Sequence, residues 1–161
     1  MLEKQKVNNA VANAIATVFG LGYAPVASGT VASAAAALLW WYAAPPTVAG
    51  QWLAGAFFTV LGIWASDLVA KRIKDDDPSI VVIDEVAGMW LALAGAPRTL
   101  PVVLVAFGLF RLFDIGKWTP MKQLERLPGG WGIMMDDVAA GLISRVLLAL
   151  ILEVTVTWRG V

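Results

Sequence analysis

The sequence predicts an all-α, polytopic membrane protein of about four to five membrane segments. Its composition, the lengths of its apolar runs and the placement of its basic residues support this class. Of the 161 residues, 59% are hydrophobic and only 15% are charged, and the mean hydropathy is +0.73. A soluble domain usually has about 45–50% apolar and about 25% charged residues. The alternative is a soluble all-α bundle with very hydrophobic core helices. We expect residues 1–161 to form one domain.

The elements follow from apolar runs and the breaks between them. Residues 7–19 predict a short amphipathic helix at the membrane surface, because asparagines interrupt the apolar residues there. Five apolar segments follow, over residues 30–44, 48–69, 80–94, 100–113 and 138–158. The second and fifth are long enough to cross a bilayer, which takes about 20 residues. The other three are too short for this, so each of them extends into the neighbouring residues or enters the membrane only partly.

The basic residues fall mainly on one side of this topology. If the N-terminus is cytoplasmic and each segment crosses once, the outer side carries only Arg98 and Arg159, while Arg111 and Arg145 lie within or near segments. The cytoplasmic side carries the rest, which are Lys4, Lys6, Lys71, Arg72, Lys74, Lys117, Lys122 and Arg126. Cytoplasmic loops of membrane proteins carry an excess of Lys and Arg, so this distribution supports the orientation.

The residue types that are missing limit the chemistry. The chain has no histidine and no cysteine, and its net charge is zero. This excludes disulfides, thiolate nucleophiles, phosphohistidine and the usual zinc sites. Because the chain has no net positive charge, its composition does not indicate nucleic-acid binding. Catalysis would have to use carboxylates, hydroxyls, Lys, Arg and a hard cation.

Most acidic residues converge on the cytoplasmic ends of the segments. Asp84 and Glu85 lie inside an apolar segment, where adjacent carboxylates repel each other unless a cation holds them. The alternative is a structural ion pair with Arg111. Asp136 and Asp137 open the fifth segment, where their alternative role is to cap the helix.

Weaker candidates surround these carboxylates. Arg111 and Asp114 form an i, i+3 pair, which is either a local salt bridge or a phosphate ligand beside a metal ligand, with Lys117 a turn further on. Asp77 precedes Pro78 at the end of an acidic run that is otherwise typical of a solvated loop. Gly29 and Thr30 stand where a helix begins, and backbone N–H groups there suit an anion.

Carboxylates without His or Cys favour magnesium over zinc. Basic residues beside such a cluster suit phosphate transfer. Because the cluster lies at the lipid–water boundary, a substrate with a phosphate head and an acyl body would reach it without leaving the membrane.

Four stretches of the sequence, taken together, are specific. They are GYAPVASGTVAS (residues 22–33), DPSIVVIDEVAG (77–88), FRLFDIGKWTP (110–120) and GGWGIMMDDVAAG (129–141). In type and order they resemble the phosphatidylglycerophosphatase A family. The resemblance implies a phosphoric monoester hydrolase that converts phosphatidylglycerophosphate to phosphatidylglycerol and inorganic phosphate with Mg²⁺, at the cytoplasmic face of a bacterial inner membrane.

The resemblance also implies roles for individual residues. The expected catalytic residues are Asp84, Glu85, Asp136 and Asp137. The expected metal ligands come from Asp77, Asp84, Glu85, Asp114, Asp136 and Asp137. The expected phosphate ligands are Gly29, Thr30, Arg111 and Lys117. Either a water activated by the metal attacks phosphorus, or one aspartate first forms an aspartyl-phosphate.

Two other classes of function are compatible with the composition. A small ion-coupled transporter would also use carboxylates within the membrane, but it predicts carboxylates near the bilayer midplane and matching halves. A purely structural membrane subunit leaves the acidic cluster without a reason.

Overall fold

The computed structural model describes residues 2–116, 118 and 121–159. In this part of the chain there are seven α-helices, a short 3-10 turn at Leu21–Tyr23, and no strand. The helices are α1 (Leu2–Ala16), α2 (Ser28–Ala43), α3 (Val48–Ile73), α4 (Ile83–Leu93), α5 (Leu100–Gly116), α6 (Met121–Leu124) and α7 (Gly130–Arg159). The all-α prediction is therefore confirmed for the described residues.

Helix α4 is the centre of the bundle. It packs against α2, α3, α5 and α7, and all of its residues are buried except Asp84 and Glu85, which are half-buried. A helix that is apolar all round is stable only when other helices cover it on every side. The two carboxylates lie in its first turn, where the helix dipole favours negative charge. The core helix thus presents its two charged residues at one end of the bundle.

Two glycines allow α4 and α7 to pack closely. A Cβ atom on Gly141 would lie 2.3 Å from the carbonyl oxygen of Gly88, and a Cβ atom on Gly88 would lie 2.6 Å from that of Asp137. Backbone atoms of packed helices cannot move aside cheaply, so these positions need glycine. The close contact brings Asp137 on α7 next to the first turn of α4.

Polar side chains hold the other end of α4. The Nε atom of Arg145 donates a hydrogen bond to the carbonyl oxygen of Ala94 at 2.5 Å. The backbone N–H of Gly95 donates to Oε1 of Gln51 at 2.7 Å, and Nε2 of Gln51 donates to the carbonyl oxygen of Pro45 at 3.0 Å. Because the last carbonyls of a helix have no partner within the helix, Arg145 satisfies a group that would otherwise be left unpaired. These bonds connect α4 to α3 and α7.

Helix α1 differs from its predicted bounds of 7–19. It spans Leu2–Ala16 and buries Ala12 and Ala16, and it packs on α3. It ends earlier than predicted because the next residues leave helical geometry: Val18 has φ 48°, Phe19 has φ 53° and Gly20 has φ 98°.

The outer helices expose apolar side chains. Large hydrophobic residues on α2, α3, α5 and α7 are more than half exposed, including Leu38, Phe57, Leu104 and Leu150. A contiguous apolar exterior is unusual for a soluble monomer and is typical of a surface that meets lipid or another protein.

The prediction of four to five membrane segments is not confirmed. In the described part of the chain, only α3 and residues Gly130–Thr155 of α7 are long and apolar enough to cross a membrane. The predicted third segment is the 11-residue helix α4. A helix of that length rises about 16 Å, whereas the hydrocarbon core is about 30 Å thick. Helix α4 is short because the chain leaves the helix at Ala94, ahead of Gly95, which has φ 70°.

Candidate functional site

A cavity of about 780 Å³ opens at the end of the bundle where α2, α4 and α7 begin and α5 ends. The connection between α3 and α4 and that between α6 and α7 complete its walls. All six acidic residues predicted as metal ligands line it: Asp77, Asp84, Glu85, Asp114, Asp136 and Asp137. Residues far apart in the sequence therefore share one cavity.

Three of these carboxylates lie especially close together. One oxygen atom from each of Asp84, Glu85 and Asp137 lies within 4.8 Å of the other two, and this group could hold a metal ion. Asp77, Asp114 and Asp136 line the same cavity but do not belong to this group of three. We refer to Asp84, Glu85 and Asp137 as the carboxylate trio.

The electrostatics of the trio favour a bound cation. Oδ1 of Asp84 and Oε2 of Glu85 are shielded from solvent and have no hydrogen-bond partner among the described residues. Burial raises the pKa of Asp84 well above its ordinary value, and the neighbouring Glu85 carboxylate raises it further. Burial also raises the pKa of Glu85. A bound cation would offset the free-energy cost of keeping these buried carboxylates charged. An all-oxygen donor set suits Mg²⁺.

Asp136 and Asp137 are not helix caps. Helix α7 begins at Gly130, so both residues lie nearly two turns inside it. The helix starts early because Gly130 packs directly on α3, where a Cβ atom would lie 2.0 Å from the carbonyl oxygen of Ile63. The capping interpretation of these residues is therefore wrong, and the side chain of Asp137 is buried beside α4 instead.

Arg111 is held at the edge of the trio by two partners. It forms an ion pair with Asp114 through Nη1 and Oδ2, and each side chain is only 15% exposed. Its Nη1 also donates to Oγ of Ser33 at 3.3 Å, and that hydroxyl donates to the carbonyl oxygen of Gly29 at 2.8 Å. The predicted i, i+3 ion pair is present. Within the described chain, the salt-bridge partner of Arg111 is thus Asp114 and not the Asp84–Glu85 pair.

The predicted phosphate ligands are only partly brought together. A Cβ atom on Gly29 would lie 2.0 Å from Oε1 of Glu85 and 3.4 Å from Nη1 of Arg111, so Gly29 packs against both. Thr30 is half-buried and does not line the cavity, whereas Ser28 does. Successive residues of a helix are rotated by about 100°, so Thr30 projects away from the direction in which Gly29 meets Glu85. Gly29 and Arg111 do not line the cavity either. Lys117 lies outside the described residues.

Two further residues of the site were not predicted from the sequence. Ser33 is fully buried and contacts Arg111, and its i, i+4 spacing from Gly29 on α2 is a signal that could have identified it. Arg126 lines the cavity from the connection between α6 and α7. In the sequence, Arg126 contributes only to the charge bias, because its spacing does not link it to the acidic residues.

Buried carboxylates beside a fixed arginine, in a cavity open at one end of an apolar helical bundle, are the arrangement expected of a metal-dependent enzyme acting on phosphate esters. The family model described as phosphatidylglycerophosphatase A matches residues 14–152. The chain belongs to this family. It is therefore a phosphoric monoester hydrolase, which confirms the enzyme class predicted from the sequence.

Individual relatives agree with this assignment. A protein of Bacteroides thetaiotaomicron, with the name "Putative phosphatidylinositol-3-phosphatase", is 40% identical over 143 residues, covering 84% of this chain and 89% of the relative. Phosphatidylglycerophosphatase A of Escherichia coli K12 is 32% identical over 132 residues, covering 81% and 77%. The protein of the same name from Haemophilus influenzae is 36% identical over 87 residues, covering 53% of each chain. No solved structure matches this chain.

Proposed function

We propose that this protein is a Mg²⁺-dependent lipid phosphatase that hydrolyses phosphatidylglycerophosphate to phosphatidylglycerol and inorganic phosphate. The observation that carries the proposal is the carboxylate trio, in which one oxygen atom from each residue lies within 4.8 Å of the other two. The trio lines the same cavity as Asp114, which forms an ion pair with Arg111. Family membership supports the substrate, because the matching family and two relatives have phosphatidylglycerophosphatase A as their name.

The trio would hold Mg²⁺, with Asp77, Asp114 and Asp136 contributing from the walls of the same cavity. When bound there, Mg²⁺ neutralises negative charge on the phosphate oxygens during hydrolysis. Asp84, Glu85, Asp136 and Asp137 form the proposed catalytic set. One of these carboxylates either takes the proton of the attacking water or attacks phosphorus itself, and incorporation of heavy oxygen into the protein distinguishes the two routes.

Arg111 would bind the phosphate. Its Nη1 is engaged by Asp114 and Ser33, whereas its Nε is buried and has no hydrogen-bond partner among the described residues. Arg111 does not line the cavity itself, but its ion-pair partner Asp114 does, and arginine suits phosphate geometry. Arg126 on the cavity wall is a second candidate. Gly29, Thr30 and Lys117 stay in the proposed phosphate site on the basis of the family resemblance.

We also propose that the protein is a multi-pass protein of the bacterial inner membrane, with the cavity on the cytoplasmic side. The two helices of membrane-spanning length and the apolar exterior support membrane association. Lys71 and Arg72 lie in the last turn of α3 and Lys74 follows it, at the end of α3 nearest the cavity, and Arg126 lines the cavity itself. This clustering is the reason for assigning the cavity to the cytoplasmic side.

A second substrate has a specific observation in its favour. The relative from Bacteroides thetaiotaomicron has a name that indicates phosphatidylinositol 3-phosphate. Both lipids carry a phosphate monoester on a head group that a phosphodiester joins to diacylglycerol, so the same cavity chemistry would serve either. The transporter alternative is not favoured, because the carboxylates gather in one cavity at one end of the bundle.

The proposal is tested with the purified full-length protein in detergent. Phosphate release is measured from phosphatidylglycerophosphate and, in parallel, from phosphatidylinositol 3-phosphate, each with Mg²⁺ and with EDTA. We expect Mg²⁺-dependent release that is faster from phosphatidylglycerophosphate. Faster release from the inositol lipid would reassign the substrate, and release that is equal in EDTA would overturn the role of the metal.

Site variants test the cavity in the same assay. Asp84→Asn and Asp136→Asn should each abolish phosphate release while leaving the protein folded. Asp75→Asn is the matched control, because it removes the same charge from an exposed residue that does not line the cavity. Wild-type activity in both site variants would end the proposal.

A further inference from the structure

An apolar groove of about 530 Å³ runs between α2 and α5. Alanine, leucine, valine and aromatic side chains form its entire lining, including Ala34, Leu38, Leu104 and Phe107. Leu38 is 61% exposed and Leu104 is 59% exposed, so the groove is open to the surroundings of the bundle. Its lining residues on α2 run from Ala34 to Tyr42, which is about 12 Å of helix.

The groove ends near the candidate active site along both helices, although it shares no lining residue with the acidic cavity. Ala34 directly follows Ser33, and Phe107 lies one turn before Arg111 on α5. The hydrogen bond from Nη1 of Arg111 to Oγ of Ser33 joins the same two helices at the end of the groove nearest the trio. Arg111 and the apolar groove therefore follow each other along the same two helices. A lipid with a phosphate at one end and an acyl chain at the other needs these two features in this order.

A second apolar groove lies farther from the candidate active site. It lies between α5 and α7, has a volume of about 330 Å³, and begins on α7 at Leu148. Leu148 is three turns beyond Asp137, which places this groove about 16 Å from the trio along the helix. Of these two grooves, the one between α2 and α5 ends within about one turn of Arg111.

We propose that the α2–α5 groove binds one acyl chain of the substrate lipid and so positions the phosphate at Arg111. This inference rests on the proposed lipid phosphatase activity. The groove's length of about 12 Å compares with about 15 Å for one leaflet of the hydrocarbon core, so most of a chain can lie against protein. A chain already in detergent gains from the groove by van der Waals packing and not by leaving water, so the enzyme prefers chains long enough to fill the groove.

The test compares two acyl-chain lengths on one head group. Dipalmitoyl and dihexanoyl phosphatidylglycerophosphate are assayed in the same detergent with the wild type and with Ala34→Trp, which fills the groove from an exposed position. We expect Ala34→Trp to lower kcat/KM for the dipalmitoyl lipid about tenfold, mainly through KM, and to change that for the dihexanoyl lipid less than about twofold. Leu104→Trp fills the groove from α5 and should act in the same way.

Ala56→Trp is the matched control, because Ala56 is an exposed alanine on the outer face of α3 and does not line the groove. It should leave both values of kcat/KM unchanged. Retained dihexanoyl activity shows that a groove variant is folded.

Three outcomes would overturn the inference. Equal effects of both groove variants on the two lipids, or no effect on either, would overturn it while leaving the phosphatase proposal intact. Failure of the wild type to hydrolyse either lipid would overturn the proposed function together with the groove.

Discussion

Asp84, Glu85 and Asp137 meet in a space that is too small for three uncompensated negative charges. Their closest oxygen atoms lie within 4.8 Å of one another, and the neighbouring Arg111 forms its ion pair with Asp114. Two like charges about 4 Å apart repel by about 4 kcal/mol at an effective dielectric constant of about 20. Such repulsion is reasonable for a site built to bind a cation.

The stability of Asp84→Asn tests this view of the trio. In EDTA, the variant should have a free energy of unfolding equal to or higher than that of the wild type, because the amide removes one of the repelling groups. Mg²⁺ at about 100 times its dissociation constant should stabilise the wild type by about 2.7 kcal/mol and the variant by much less. Thermal unfolding in detergent, with and without Mg²⁺, measures both effects. A variant that is clearly less stable in EDTA, or that keeps the full response to Mg²⁺, would contradict this account.

Gly29 is a second residue whose identity the site requires. A Cβ atom there would lie 2.0 Å from Oε1 of Glu85, so Gly29→Ala should displace the carboxylate and lower kcat by at least about tenfold. Gly108→Ala is the control, because nothing lies within 4 Å of a Cβ atom at that position in α5. It should keep its activity and gain about 0.5–1 kcal/mol of stability from improved helix propensity. Equal activity in the two variants would show that Glu85 is not held where the structure places it.

At the scale of elements, the site depends on the contact between α4 and α7. Asp84 and Glu85 come from the first turn of α4, and Asp137 comes from α7. Gly88 and Gly141 set the distance between these two helices, because the carbonyl oxygen of Gly88 occupies the space a side chain at 141 would need. Arg145 and Gln51 hold the other end of α4 through Ala94 and Gly95. The short central helix is therefore fixed at both ends.

Gly141→Ala tests this contact without altering a charged group. The new methyl group would lie 2.3 Å from a backbone oxygen, so α7 must move away from α4. We expect a loss of about 1–3 kcal/mol in the free energy of unfolding, as for other overpacked cores, together with weaker Mg²⁺ binding. Denaturant unfolding and Mg²⁺ titration of the purified variant measure the two effects. Wild-type stability combined with wild-type Mg²⁺ affinity would show that the helices do not pack this closely.

Much of this arrangement could be predicted from the sequence, and the part that could not has a physical reason. The apolar runs and the Pro and Gly breaks between them predicted the five apolar helices, which are α2, α3, α4, α5 and α7. The predicted topology placed most acidic residues at one end of these helices. Hydrophobicity does not reveal whether a segment faces lipid or protein, so the segment that contains α4 was counted as a membrane segment, fully or partly inserted, and not as the core. Hydrophobicity also does not show where a helix begins if its first residue is a glycine packed on another helix. The start of α7 at Gly130, which packs on α3, was therefore not predicted.

At the scale of the whole molecule, the protein combines a buried apolar core with an apolar exterior. Its central helix is fully covered, while the outer faces of α2, α3, α5 and α7 expose leucine, valine and aromatic side chains. The acidic cavity opens at one end of this apolar body. Such a body is stable in a bilayer with the cavity at the surface, where lipid head groups lie.

Fractionation of cells tests the placement in a membrane. We expect the protein to sediment with membranes, to remain there after washing at high salt and alkaline pH, and to be released by detergent. Charge-based surface binding would be lost at high salt. Recovery of the folded protein in the soluble fraction without detergent would contradict the membrane assignment and support the soluble-bundle alternative.

The central claim is that the trio holds a divalent cation, and direct binding tests it without reference to any substrate. Mn²⁺, which prefers similar oxygen ligands, can be titrated into the purified protein and followed by electron paramagnetic resonance, with Mg²⁺ as the competitor. The account predicts saturable binding to the wild type and to Asp75→Asn that Mg²⁺ displaces, and its loss in Asp84→Asn and Asp137→Asn. Equal binding by all four proteins, or no saturable binding by the wild type, would contradict it.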